Sequence, residues 1–385
     1  MTLQDLLSRL DNAQEDLRAA AAADLAHAWA GELFGSSARK VLSSAMTLVL
    51  DDPCAKVRIA LAAGIAPCSD IPRGVLLALA GDEEEAAVAI VSYSPVLTDA
   101  DLIDCLAHPS EKVGVAVAAR SKVSPAVCAA IAEVAPPSAV VALLTNPGAA
   151  LLRGTLVRLT ERFSRDAKVR SELLHLAELP VALRHKLLHC HAETLVTHPL
   201  VLPHVQDEEE EREFLAEASD KIALKLAEAA DEEGLAELIE HLRLSGGLTT
   251  RLLLRSLCCG QNRFFVNAMS ALTGVPMARF TQTLASGRPA ALRALLRKAG
   301  LPVRSHQVFV LAIEVARRRA GSFAHDLSLE LTRQLTEQVL SELQDDGFSS
   351  ETDIVAFLRR FAADIARQEA RQVLDQHRQP ALHAA

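Results

Sequence analysis

The sequence predicts an all-α protein: an α-solenoid of stacked antiparallel helix pairs followed by a second helical region. Three observations predict it. First, the outline Leu50-Asp-Asp-Pro-Cys-Ala-Lys-Val57 returns at Leu79-Ala-Gly-Asp-Glu-Glu-Glu-Ala86, at Leu106-Ala-His-Pro-Ser-Glu-Lys-Val113 and at Leu144-Thr-Asn-Pro-Gly-Ala-Ala-Leu151. In each, an apolar run ends on Leu, a polar break follows, and a new apolar run opens seven residues later; the copies are 29, 27 and 38 residues apart. Periods of that size mark stacked helical repeats, in which one unit cannot bury its apolar stripe alone. Second, 50 % of the chain is hydrophobic but only 3 % is aromatic. Ala and Leu dominate, which favours closely packed helices over sheets. Third, no run alternates with period two for long enough to make a half-buried strand.

The elements follow in order. Residues 3–31 read as one or two helices with Asp11 as a possible N-cap between them, and Trp29, the one tryptophan, packs in this N-terminal cap. Helices are expected over 38–50, 54–66, 72–80, 84–92, 99–107, 111–120 and 125–134, with Asp99 and Ser124 as caps. The pattern continues past Pro136-Pro137 to about 163, then through 166–177 and 180–197. In the repeated breaks, Asp52, His108 and Asn146 are expected just outside a helix, with Pro53, Pro109 and Pro147 in its first turn, where a missing N–H is harmless. An acidic helix follows over 208–230. Beyond it, helices over 249–258, 262–272, 276–285, 289–299 and 305–319 are punctuated by Gly260, Gly274, Gly287 and Gly300. Pro276, Pro289 and Pro302 each follow such a Gly by two residues, a helix stop and then a helix start. Two longer helices are expected over 325–344 and 350–374. The domain reading is 1–200 for the repeats, 201–240 for an acidic connector, 241–376 for a C-terminal helical domain and 377–385 for a disordered tail.

The N-terminus lacks a basic stretch followed by an apolar one, so no signal peptide is expected. The run 19–23 of alanines leads straight into Asp24 and His27 and is no membrane span. Seven cysteines, Cys54, Cys68, Cys105, Cys128, Cys190, Cys258 and Cys259, are an odd number without paired spacing. They read as small buried hydrophobes in a reducing cytoplasm rather than a disulfide framework.

Two stretches carry a resemblance. One runs from Val57-Arg-Ile-Ala-Leu-Ala62 through Ser94-Pro-Val-Leu-Thr-Asp99-Ala-Asp-Leu-Ile103 to Val117-Ala-Ala-Arg120 and Leu144-Thr-Asn146. The other is Gly260-Gln-Asn-Arg-Phe-Phe265 with Lys298-Ala-Gly-Leu-Pro302. Together, over roughly 40–320, they resemble a bacterial family catalogued as domain of unknown function number 2336, and the early part resembles HEAT-type repeats. The resemblance implies a HEAT-like helical fold and carries no catalytic residues.

Charge is the most polarised feature. Residues 201–240 hold fourteen Asp/Glu against three Lys/Arg, beginning at Asp207, and 241–320 hold thirteen Arg/Lys against the single Glu314. The two segments cancel within a net charge of −9. The candidate binding residues are Arg251, Arg255, Arg263, Arg293, Arg297, Lys298 and Arg304, because Arg forks suit carboxylates and phosphates. If functional, Arg251, Arg255, Arg293 and Arg297 are accessible and share one face; otherwise they neutralise the acidic helix, and Arg317–Arg319 serve a helix C-terminus.

His185 and His189, four apart on one helix face, with His191, Cys190, Glu193, His198 and His204 nearby, make a zinc-type grouping. They lack the Glu of the zinc-protease motif, so a polar helix surface is the plainer reading and no metal or other cofactor is expected. Cys258-Cys259 beside Gly260 is a candidate reactive thiol pair, with core packing as the alternative. Phosphate loops, dinucleotide fingerprints and nucleophile elbows are missing. The function expected is therefore a non-catalytic, cytoplasmic scaffold whose partner is a protein with an acidic surface. The alternatives are a repair-type nucleic-acid-binding repeat protein and a metal-dependent enzyme on His185/His189. Base-flipping repair usually uses aromatics near the basic region, and the only large polar aromatics, Trp29 and Tyr93, both lie outside it. No membrane partner is expected.

Overall fold

The computed structural model of the chain describes residues 2–31, 35–196, 198, 208–320, 329–345 and 353–382. Asp207, His204, the openings of the last two expected helices (325–328 and 350–352) and residues 383–385 lie outside the described residues. Among the described residues the chain is all-α, with 22 helices and no strand. One isolated parallel bridge joins Val123 and Ala149. The chain divides into two compact units, Met1–Leu179 and Pro180–Ala385.

The first unit contains α1 (Leu3–Leu10), α2 (Glu15–Ala30), α3 (Gly35–Val49), α4 (Ala55–Ile65), α5 (Arg73–Ala80), α6 (Glu84–Tyr93), α7 (Asp99–Cys105), α8 (Glu111–Ala118), α9 (Pro125–Val134), α10 (Pro137–Leu144), α11 (Arg153–Phe163) and α12 (Ala167–His175). Helix α2 packs on α4, α4 on α6, α6 on α8, α8 on α10 and α10 on α12, while α7 packs on α9 and α9 on α11. Contact between every second helix is the pattern a stack of helix pairs generates. Each stacked helix buries residues one turn apart: Val57, Leu61, Ala62 and Ile65 on α4, and Val113, Gly114, Val117 and Ala118 on α8. Small residues let the backbones approach, and at the α2–α4 crossing a Cβ added to Gly64 would lie 2.4 Å from the Ala26 Cβ.

The repeated breaks are polar turns, but the prolines sit earlier than expected. Pro53 and Pro109 lie before the N-caps of α4 and α8, Cys54 and Ser110, and Pro147 lies in the turn that precedes α11. The residue before each proline explains the offset. Asp52, His108 and Asn146 each fold the side chain onto the backbone N–H two residues on: Cys54 N to Asp52 Oδ1 at 2.8 Å, Ser110 N to His108 Nδ1 at 3.0 Å, Gly148 N to Asn146 Oδ1 at 2.8 Å. This side-chain turn occupies the proline and delays the helix start. Two caps are reassigned likewise. Asp11 is the C-cap of α1, and Thr98 rather than Asp99 caps α7 through a capping box with Asp101. Ser124 caps α9, with Pro125 at its first position.

The second unit contains α13 (Val181–Val196), α14 (Glu208–Ala229), α15 (Glu232–Leu244), α16 (Thr250–Cys258), α17 (Asn262–Thr273), α18 (Met277–Ser286), α19 (Pro289–Lys298), α20 (Val303–Ala320), α21 (Leu329–Asp345) and α22 (Asp353–Leu382). The acidic helix α14 is part of this unit rather than a connector, because Ala223, Leu224 and Ala227 join its core; the unit begins at Pro180, ahead of the expected boundary at 200. Helix α16 is central: Leu252 to Cys258 are all buried, and it packs against α14, α17, α20 and α21. In the same core the Phe265 ring lies 6.2 Å from that of Phe280, edge-on, and 6.2 Å from that of Phe309, stacked. Gly260, Gly274, Gly287 and Gly300 all have positive φ, as helix-ending glycines do. Helix α22 runs on through Leu382, where the sequence predicted a tail from His377.

Candidate functional site

The basic segment divides into two groups. The first is paired with acidic residues inside the second unit. Arg251 on α16 donates through Nε to Asp220 Oδ2 of the acidic helix at 2.7 Å. Arg255, one turn on, is 4 % exposed and stands 3.8 Å from Asp220 and 3.7 Å from Glu217. Burial raises the pKa of the Asp220 carboxyl, and the hydrogen bond and charge of Arg251 work against that rise. Arg263 lies 3.4 Å from Glu232, at the start of α15. The expected single accessible face through Arg251, Arg255, Arg293 and Arg297 is therefore corrected. Helix α16 is enclosed, so both arginines meet the acidic helix, Arg255 buried and Arg251 half-buried.

The second group is exposed. Arg279 on α18, Arg288 at the N-cap of α19, Arg293, Arg297 and Lys298 on α19 and Arg304 on α20 are all exposed, and no acidic residue occurs between Val275 and Arg304. The spacing of α19 explains the display: Leu292 and Leu296 face the core, which turns Arg293 and Arg297 outward together. Arg293 Nη2 donates to Gln307 Oε1 at 2.7 Å, tying α19 to α20 without neutralising the charge. Among the described residues, Arg279, Arg288, Arg297 and Lys298 have no acidic partner. Arg317 packs against the turn at Gly287, where a Cβ would meet its Nη1 at 1.3 Å. It places a cation at the C-terminal end of α18, as the helix dipole favours. Arg318 pairs with Glu342 at 2.8 Å, and the side chain of Arg319 lies outside the described residues. The one aromatic residue of 275–304, Phe280, is 1 % exposed and presents no stacking surface. Met277 and Val303 are exposed apolar residues on this stretch.

The histidines form a different cluster from the expected one. His185 is buried, its ring stacked at 6.4 Å on His189 and edge-on at 5.3 Å to His241 of α15. Burial, with the neighbouring charges of His241 and His189, pushes His185 down to about 4. His241 is also lowered, first by burial and then by Lys186. His191 is on the outer face of α13, His198 lies beyond it, and His189 and Glu193 are 3.6 Å apart. Among the described residues no three His, Cys, Asp or Glu side chains converge as metal ligands. His241 was hidden from the sequence reading because its helix is separated from α13 by α14.

Cys258 and Cys259 do not resemble a reactive pair. Burial raises both thiols, Cys259 to about 11, so neither is ionised near neutrality. Cys258 lies in the α16 core.

Among the described residues no helix is long and apolar enough to cross a membrane. The family model described as "Uncharacterised protein conserved in bacteria (DUF2336)" matches residues 86–348. The match takes in α6 to α21, both the later repeats and the whole basic segment. The chain belongs to this bacterial family. The matched region starts later than the stretch from about residue 40 that carries the sequence resemblance. No curated protein matches the chain. An engineered protein of known crystal structure is similar over 90 % of this chain and 99 % of its own, at 16 % identity and a TM-score of 0.16, too low a score to bear on the fold.

Proposed function

We propose that the protein is a non-catalytic HEAT-like helical-repeat scaffold of the bacterial cytoplasm, and that α18, α19 and the start of α20 bind an acidic surface of a protein partner. The observation that carries this reading is the exposed group Arg279, Arg288, Arg293, Arg297 and Lys298, set in a stretch without any acidic residue. Unneutralised charge on one side of a fold steers oppositely charged partners. Nucleic acid is the second candidate for such a face. It is the weaker one, because the local aromatic, Phe280, is buried and base stacking has no platform. Met277 and Val303 add exposed apolar surface, which suits a protein partner with a mixed acidic and apolar face.

The test is crosslinking in native extract with the protein as bait, followed by identification of the captured chains. The reading expects one acidic protein to be captured by the wild type, to survive nuclease treatment, and to be lost with the Arg288/Arg293/Arg297/Lys298→Ala variant. Capture that disappears with nuclease supports the nucleic-acid reading instead.

A further inference from the structure

The opposite charge that the basic face of α18 to α20 calls for is present in the chain itself. Helix α14 opens on Glu208, Glu209, Glu210 and Glu211, and the first three are exposed. Its buried residues are Asp220, Ala223, Leu224 and Ala227, so the stretch from Glu208 to Ser219, about three turns, holds no buried side chain. Phe214 is exposed on that stretch. It follows Glu210 by four residues and Glu211 by three, which puts the ring and both carboxylates on one side of the helix. An exposed aromatic beside a run of carboxylates is the pattern of an amphipathic docking helix. The basic face carries the complement, cations with the exposed apolar residues Met277 and Val303.

Within one chain α14 is committed elsewhere. It packs on α13, α15 and α16. Glu213 pairs with Arg360 of α22, and Glu217 pairs with Lys221, which also reaches Asp364 of α22 at 2.7 Å. Arg279, Arg288, Arg297 and Lys298 have no acidic partner among the described residues. We propose that two copies of this chain associate, the acidic opening of α14 of one lying on the basic face of the other. Glu208 to Glu211 meet Arg288, Arg293, Arg297 and Lys298, and Phe214 covers the apolar surface at Met277 and Val303. This rests on the reading above, that α18 to α20 is the binding face, and names its acidic protein partner as a second copy. Charge complementarity of this kind steers encounter and fixes register more than it adds affinity, so the association is weak and salt-sensitive.

Sedimentation equilibrium on the full chain, over a concentration series at low and high salt, tests this. The average mass is expected to rise above that of one chain with concentration at low salt, and to fall back to it at 1 M salt, where the Debye length is ~3 Å. Glu209/Glu210/Glu211→Lys and Arg288/Arg293/Arg297/Lys298→Glu are each expected to weaken association about tenfold or more. A one-to-one mixture of the two variants should regain it, because each then offers the charge the other lacks. Lys in a first helical turn opposes the helix dipole. Glu209/Glu210/Glu211→Gln, which only removes charge, is therefore measured as well, with its melting temperature, and should also lose association with the fold intact. The proposal is overturned if the wild type stays a single chain at every concentration, if a folded variant associates like the wild type, or if the mixture stays monomeric. A monomeric wild type that still binds a Glu-rich peptide rejects only the second copy as occupant; one that binds no acidic peptide rejects the basic face as well.

Discussion

Arg58 grips Asp82 through two parallel hydrogen bonds, Nε to Oδ2 at 2.5 Å and Nη2 to Oδ1 at 2.9 Å, while its Nη1 donates to the Asp52 carbonyl at 2.7 Å. One side chain thereby ties the turn before α4 to the turn before α6. The device recurs with different chemistry. Arg18 holds Asp52, His108 Nε2 donates to the Asp82 carbonyl at 2.9 Å, and Asn146 Nδ2 donates to the carbonyls of Ala118 and Arg120, both at 2.7 Å. Arg120 donates to the Val91 and Ser94 carbonyls, and Arg162 to those of Ala132 and Ala135. Helix ends leave carbonyls without partners, and here the following repeat supplies donors for them. The Arg58 hydrogen bond holds Asp82 below the usual carboxylate range.

Asp82→Ala is expected to destabilise the first unit by about 2 kcal/mol, the scale of a charge-assisted, largely buried pair whose cation is left behind. Urea denaturation checks this. Arg58→Lys should lose most of the same amount, since a single ammonium cannot reproduce the two-pronged contact; a neutral outcome in both variants would show the pair to be incidental.

Close backbone approach makes a second prediction. A Cβ on Gly148 would meet the Ser121 carbonyl oxygen at 2.1 Å, beside the bridge in which Val123 N donates to Gly148 O at 3.0 Å. The obstacle is backbone and cannot swing aside. Gly148→Ala should lower stability by about 1–3 kcal/mol, as overpacking does, whereas Gly154→Ala, with open space around its Cβ, should leave the melting temperature nearly unchanged.

The buried His185 makes stability depend on pH. Its pKa is about 4 in the fold and 6.5 when free, so the unfolded chain takes up the proton first as pH falls. The contribution is fully present above 6.5, declines through the interval down to about 4, and is gone below it. It amounts to about 3 kcal/mol by linkage. Urea unfolding of the second unit at pH 7 and pH 4.5 should show the decline. His185→Phe should flatten most of it, with the lowered His241 supplying a smaller remainder; an unchanged decline would place its cause elsewhere.

Much of this fold was legible because local rules decide it. The Gly-x-Pro punctuation at 274–276 and 287–289 marks real helix ends, and Ser124-Pro125 is a real helix start. The prolines of the repeat were placed too late because their preceding Asp, His and Asn make side-chain turns of their own. The basic segment resisted reading for a longer-range reason. Charge counting cannot tell Arg251, which faces Asp220 across 31 residues of chain, from Arg297, which faces solvent. Only the burial of α16 separates them. Its unbroken run Leu252-Leu-Leu254 was the available signal, since a helix apolar on several faces is enclosed.

The basic face of α18 to α20 is tested most directly by fluorescence anisotropy. An amphipathic Glu-rich peptide and a duplex DNA of equal charge are titrated with the wild type and with the Arg288/Arg293/Arg297/Lys298→Ala variant, at rising salt. The wild type is predicted to bind the peptide more tightly than the DNA, and salt should weaken both as the Debye length falls from ~10 Å at 0.1 M to ~3 Å at 1 M. The variant should lose peptide binding while its melting temperature barely moves, because exposed charges contribute only ~0–1 kcal/mol each. Equal peptide binding by the variant, or tighter binding of the DNA by the wild type, would contradict the account.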